Sequence, residues 1–105
     1  MVSKVSEITI RDVADYLRLT DYEESDIETY LNIAINYISN YTGIPEADYD
    51  EEDEDIETLD SYADFVIVVY VLCQDMYDNR TMYVDKNNIN RTVQTILDMH
   101  TRNNL

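Results

Sequence analysis

Apolar residues recur at helical spacing along most of the chain. The first such segment follows Thr9, whose hydroxyl can accept an unpaired backbone N–H of a first helical turn, and Asp12 lies three positions further on. Its apolar positions obey the i, i+3, i+4, i+7 rule and are Ile10, Val13, Ala14 and Leu17. We predict a short, one-sided helix here.

The second segment is the clearest helix of the sequence. After a turn at 20–24, Ser25 and Glu28 form a capping-box pattern, and Gly43 stands where a left-handed residue would end the helix. The apolar stripe between the two ends consists of Ile27, Tyr30, Leu31, Ala34, Tyr37, Ile38 and Tyr41. This pattern predicts a long amphipathic helix.

Residues 46–57 interrupt the pattern with nine acidic side chains in twelve positions. Such a segment repels itself too strongly to pack, so we predict an acidic loop. Asp48, Asp50 and Glu52 alternate as calcium ligands do, but position 53 is Asp where an EF-hand loop requires Gly. A charged, solvated loop is therefore favoured over a calcium site.

The segment 59–77 contains the run FVIVVYVLC, which is rich in β-branched residues and would suit a buried strand if it stood alone. Helical spacing on its flanks favours a long central helix instead, since a single strand would lack backbone partners. One apolar stripe consists of Leu59, Tyr62, Ala63, Val66, Tyr70, Cys73 and Tyr77. A second consists of Phe65, Val68, Val69, Leu72 and Met76. Such a helix is either covered by its own chain on every side or keeps one face for a neighbouring subunit, and we assign the second stripe to that subunit interface.

A last helix is predicted beyond a polar stretch that runs to Asn90. Its helical spacing is carried by Val93, Ile96, Leu97 and His100. One Gly and one Pro in 105 residues favour long helices throughout. The sequence therefore predicts a single all-α domain over residues 1–105, a small bundle of about four helices with the long apolar helix at its centre.

The charge of the chain is strongly negative and unevenly placed. Seven Lys and Arg stand against 23 Asp and Glu, which gives a formal net charge of −16, and no basic residue occurs between Arg18 and Arg80. Binding to phosphate backbones needs a basic face, so nucleic-acid binding of that kind is excluded. The longest apolar run has nine residues where a membrane helix needs about 20, and the N-terminus lacks the apolar core of a secretion signal. We expect a soluble chain with no membrane contact.

Few residues could carry catalysis. Cys73 lies inside the apolar run, where burial would keep its thiol protonated, and the single His100 is close to the C-terminus, where a helix dipole favours it. A single Gly rules out a phosphate-binding glycine loop, and one Cys rules out a cysteine zinc site within one chain. We expect no enzymatic activity, no cofactor and no metal site.

Two stretches of the chain resemble a known family. ITIRDVADYLRLTDYEESDIETYLNIAINYISNYTGIP resembles the opening of the head-tail connector (adaptor) proteins of tailed bacteriophages, with a short helix ending in YLR, an acidic turn and a long helix ending in YTG. QDMYDNRTMYVDKNNINRTVQTIL resembles the end of the apolar helix of that family, with its W/Y-[DE]-N-R motif, and its closing helix. The motif residues here are Tyr77, Asp78, Asn79 and Arg80. The acidic loop, which the family varies, is unusually acidic in this chain.

The resemblance implies a structural protein of the virion neck, made in the host cytoplasm. Its copies would form a ring, twelvefold on the portal of the DNA-filled head, and would extend the DNA channel toward the tail or a stopper protein. It also implies that residues 90–105 reach the portal, with docking carried by Arg91, Ile96, Leu97, His100, Arg102 and Leu105. DNA would pass through without specific binding, and acidic channel walls would let it slide.

A second function fits the same charge. A compact helical body with a net charge of −16 could imitate DNA and occupy the basic groove of a host nucleic-acid enzyme. Such a regulatory protein would bind tightly at low salt and lose affinity steeply as salt rises. Its absence from purified virions would favour this alternative over the connector.

Overall fold

Four α-helices and two short 3-10 helices form the regular structure of the residues that the computed structural model describes, which are 4–46, 58–85 and 89–101. The α-helices are α1 (Ile10–Tyr16), α2 (Glu24–Thr42), α3 (Asp64–Asn79) and α4 (Arg91–His100). The 3-10 helices span Val5–Glu7 and Leu59–Ser61. No strand occurs within those ranges, and the predicted all-α bundle is confirmed. The predicted acidic loop lies, but for its first residue, outside the described residues.

Helix α1 begins as its sequence predicts. The backbone N–H of Asp12 donates to the Thr9 hydroxyl at 3.1 Å, and the Thr9 N–H donates to an Asp12 carboxylate oxygen at 2.9 Å. This reciprocal pair satisfies two N–H groups that a helix start would leave unpaired. The helix ends where Arg18 adopts a left-handed conformation with φ of 59°, and the Leu19 N–H then reaches back to the Ala14 carbonyl at 2.9 Å.

Helix α2 ends as predicted but starts earlier. Gly43 is left-handed, with φ of 78°, and its N–H donates to the Ser39 carbonyl at 2.9 Å. The predicted capping box at Ser25 does not form, because the helix already begins at Glu24 and Ser25 lies within the first turn. Glu23 precedes the helix without a side-chain cap, so this N-terminus is held by packing and by the acidic residues of its first turn.

Helix α3 is the central helix, as predicted, but it begins at Asp64, later than the predicted segment 59–77 does. Leu59–Ser61 forms a separate 3-10 turn, and Tyr62 is extended, with φ of −130° and ψ of 115°. From Asp64 onward the β-branched run is helical, because tertiary packing outweighs the weak local preference of valine for strands.

The predicted subunit interface on α3 is wrong. Helices α1, α2 and α4 all pack against α3, and together they cover its wide apolar side. The five interface candidates are at most 1% exposed within the single chain: Phe65, Val68, Val69, Leu72 and Met76. Since the chain's own helices bury this stripe, it forms the centre of the core and offers no surface to a neighbour.

Helix α4 packs across α2 and α3. Asn90 caps its start by accepting the Thr92 N–H at 2.8 Å, and Val93 and Leu97 enter the core. The Tyr41 hydroxyl of α2 donates to the Asp98 carboxylate, which joins the two helices at the surface. Helix α4 is therefore an integral part of the bundle.

Candidate interaction surfaces

The only histidine forms a contact between α4 and the start of α3. His100 Nε2 lies 2.9 Å from Asp64 Oδ2, and the imidazole ring centroid is 4.1 Å from the Tyr62 ring and 4.9 Å from the Phe65 ring. A His–Asp pair could orient a general base, but nucleophilic catalysis also needs an activated hydroxyl or thiol beside it. The contacts to Tyr62 and Phe65 pack the imidazole against the start of α3.

The only thiol is unsuited to nucleophilic chemistry. Cys73 is fully buried in α3, and burial raises the pKa of its thiol to about 12. At neutral pH it therefore stays protonated and acts as a small apolar core residue.

Neither a metal-binding cluster nor a membrane-spanning helix occurs in the part of the chain that the structure describes. No cluster of three or more His, Cys, Asp or Glu side chains there is arranged to hold a metal ion. None of the helices there combines the length and the apolar character that crossing a bilayer needs. The calcium hypothesis for Asp48, Asp50 and Glu52 lies outside the described residues.

Four of the residues predicted to dock on a portal lie in the described part of the chain, and they differ in exposure. Leu97 is fully buried and packs in the core, so its predicted docking role is wrong. Ile96 is half-buried against the core, and His100 is engaged with Asp64. Arg91 is exposed at the first position of α4. Arg102 and Leu105 lie outside the described residues, so their docking role stays a prediction.

The exposed apolar side of α3 differs from the predicted one. Tyr16 of α1 and Ile67 of α3 are 44% and 46% exposed, and the Tyr16 and Tyr70 rings stack with centroids 4.9 Å apart at 12°. Val71, half-buried, follows Ile67 by one turn. We name Tyr16, Ile67, Tyr70 and Val71 the α1–α3 patch.

The sequence held a signal for this patch that the stripe assignment missed. Ile67 and Val71 belong to neither predicted stripe, but they share a helical face with Gln74 and Asp78. The Gln74 amide donates to Asp78 Oδ1 at 2.9 Å on the surface of α3. Polar residues at the end of a nearly all-apolar helix mark which face meets solvent.

The motif Tyr77, Asp78, Asn79 and Arg80 forms the C-terminal end of α3. Arg80 is left-handed, with φ of 55°, and its guanidinium carbon lies 4.6 Å from the centroid of the Tyr77 ring. The Asn79 amide donates to the Asp75 carbonyl at 2.9 Å. These contacts end the helix and direct the following segment back along it.

The described residues of that segment line, together with α3, a cleft of about 190 Å³, which we name the α3 cleft. Its apolar floor consists of Leu72, Met76, Val84 and Ile89. Its polar and aromatic rim consists of Asp75, Asn79, Thr81, Tyr83 and Asp85. Tyr83 is 61% exposed. No sequence pattern indicates this cleft, because apolar residues do not recur at helical spacing in the segment after α3.

Comparison of the chain with protein-family models, with curated proteins and with solved structures gives no match. The described residues define a class, a small acidic helical bundle that carries the α1–α3 patch and the α3 cleft.

Proposed function

We propose that this chain is a structural subunit of a phage particle, one of a ring of copies that joins the portal of the head to the tail or to a stopper protein. The observation that carries the proposal is the α1–α3 patch, an apolar surface on an otherwise acidic bundle. The resemblance of the YLR, YTG and YDNR segments to head-tail connectors supplies the kind of assembly.

The patch has the chemistry of a protein interface. Tyrosine buries apolar area while it keeps a polar tip in water, and it is enriched where protein surfaces meet. Tyr16 and Tyr70 are already stacked, so little side-chain entropy remains to be lost when a neighbour covers them. In a ring each patch contacts a different surface of the next copy, which is how head-to-tail contacts close.

The net negative charge of each copy opposes this assembly in solution. Copies that each carry −16 repel one another, so the patch must overcome that repulsion when subunits meet in solution. A portal that holds the subunits in place supplies the missing free energy by mass action. The proposal therefore expects monomers or weak oligomers in isolation, a ring on the portal, and stronger self-association as salt screens the charges.

The test combines the chain with its cognate portal protein and images the complex by electron microscopy. Ile67→Lys places a charge in the patch and is expected to reduce ring occupancy on the portal at least about tenfold. Met82→Lys is the matched control, since Met82 is 52% exposed, lies outside the patch and outside residues 90–105, and receives the same charge. Monomers only, at every concentration and with the portal present, would contradict the proposal.

The DNA-mimic alternative is favoured by one observation, the charge itself. It expects tight, salt-sensitive binding to a nucleic-acid enzyme and no dependence on Ile67. Purified virions distinguish the two functions, because a connector is retained in the particle and a regulatory protein is absent from it.

A further inference from the structure

The α3 cleft combines an apolar floor with carboxylates at its rim. Its volume of about 190 Å³ lies below the roughly 300–1,000 Å³ of small-molecule sites but leaves space for a single large side chain. Leu72 and Met76 provide a floor on which an aliphatic stem can lie, and Asp75 brings negative charge to the same opening. This combination suits a side chain with an apolar stem and a cationic head.

Asp75 is placed as a binding group would be placed. It is half-buried beside the cleft, and no residue in the described ranges donates a hydrogen bond to its carboxylate. Burial, and then repulsion from Asp78, raise the pKa of the Asp75 carboxyl. The folded chain therefore bears an unfavourable charge that its own described residues do not offset, which is characteristic of groups kept for binding.

The rim favours arginine over lysine. A guanidinium is planar and carries five N–H donors, so it can reach a carboxylate while also donating to the amide oxygen of Asn79 or the hydroxyl of Thr81. Tyr83 contributes an exposed aromatic ring beside these groups, and guanidinium planes stack on such rings. The ammonium of lysine lacks both the fork and the flat face.

We propose that the α3 cleft is a docking site for an arginine side chain presented by a partner protein. Charge complementarity carries the choice of occupant, because the Asp75 carboxylate lies at the rim and none of the described residues that line the cleft is basic. The inference does not depend on ring formation, since the cleft and the α1–α3 patch share no residue.

Nuclear magnetic resonance titration of the full-length chain with N-acetyl-arginine methylamide tests this site. Saturable shifts are expected at the amides of Leu72, Met76 and Val84. N-acetyl-citrulline methylamide, which has the same shape without the charge, is expected to bind at least about tenfold more weakly. N-acetyl-lysine methylamide is expected to bind several-fold more weakly than the arginine probe.

Two variants test which side chains of the cleft contribute to arginine binding. Asp75→Asn keeps the side-chain shape and is expected to weaken arginine binding about tenfold or more, because it removes a charge-assisted hydrogen bond. Tyr83→Ala changes an exposed residue, so it leaves the fold intact, and it is expected to weaken binding a few-fold. Asp15→Asn is the matched control: it removes the same charge from an exposed position of α1 and is expected to leave affinity within about twofold.

Three outcomes would overturn the proposal. Equal effects of Asp75→Asn and Asp15→Asn would reduce the binding to general attraction by an acidic surface. Equal affinity for the arginine and citrulline probes would remove the role of charge. Shifts of the cleft amides with protein concentration alone, without a probe, would identify the occupant as a second copy of this chain.

Discussion

Helix α3 has two apolar faces, of which one is buried and the other is partly exposed. One face is built from Phe65, Val69 and their neighbours and is buried by three other helices. The other carries Ile67 and Val71 and is left partly exposed. The residue types on the two faces hardly differ, so composition does not decide which is core. Two features distinguish the faces. The exposed face continues into the polar residues Gln74 and Asp78, and the other helices of the chain pack against the buried face.

The largest expected effect tests the buried face. Phe65→Ala is expected to lower the free energy of unfolding by about 3–5 kcal/mol, because it leaves a cavity at a fully buried site between α3 and its neighbours. Urea unfolding followed by circular dichroism measures the change. The loss is large relative to the total stability of a small domain, so partial unfolding at ambient temperature is also expected.

A pair of valines provides the control on the same helix. Val69→Ala is expected to cost about 1–2 kcal/mol, since it removes buried methyl groups, whereas Val71→Ala is expected to change stability by less than about 0.5 kcal/mol. Alanine favours a helix more than valine does, which offsets part of the loss at the half-buried Val71. Equal costs at the two positions would show that the two faces of α3 are covered alike.

Local sequence signals predicted the helices and their ends well. They did not predict which helices pack against one another. Thr9 and Gly43 mark helix ends through contacts within a few residues, so both could be inferred from the sequence. The assignment of Phe65, Val68 and Leu72 to a subunit interface failed, because periodicity reports that a face is apolar and not which helix covers it. Leu97 failed as a docking residue for the same reason.

The surfaces were harder to predict than the bundle. The stacking of Tyr16 on Tyr70 joins residues far apart in sequence, and no spacing rule connects α1 with α3 at that point. The α3 cleft depends on the left-handed Arg80, a conformation for which the sequence shows no glycine. The spacing of apolar residues thus indicates the helices, whereas long-range packing determines which surfaces stay exposed.

A smaller effect is expected where α1 and α3 end. Arg18 and Arg80 both have positive φ, which disfavours residues with a Cβ. Arg18→Gly is therefore expected to raise the free energy of unfolding by about 1 kcal/mol. Arg80→Gly is expected to gain less, because it also removes the guanidinium from the Tyr77 ring. Thermal unfolding of the two variants compares them, and a larger gain at Arg80 would contradict the stabilising role of that contact.

The smallest expected effect concerns Asp75, which lies where the buried face of α3 meets the cleft. Its pKa is raised in the folded chain, so the folded state holds this proton more tightly than the unfolded state. Stability from this group is therefore present below the unfolded pKa of aspartate, about 3.9, and is lost as pH rises through the higher folded pKa. At neutral pH the Asp75 carboxylate is charged, and the full cost of holding that charge in the folded chain remains.

Asp75→Asn removes that cost and is expected to stabilise the chain at pH 7 by no more than about 0.5 kcal/mol, since the side chain is partly exposed. The advantage over the unsubstituted chain should disappear as pH falls below about 3.9, where aspartic acid is also neutral. Denaturant unfolding across this pH range measures both stabilities. A variant that is more stable at pH 7 yet binds the arginine probe more weakly would show that the exposed end of α3 retains a destabilising charge for binding, whereas its buried face is optimised for packing. A variant less stable at pH 7 would instead make Asp75 a stabilising part of the bundle.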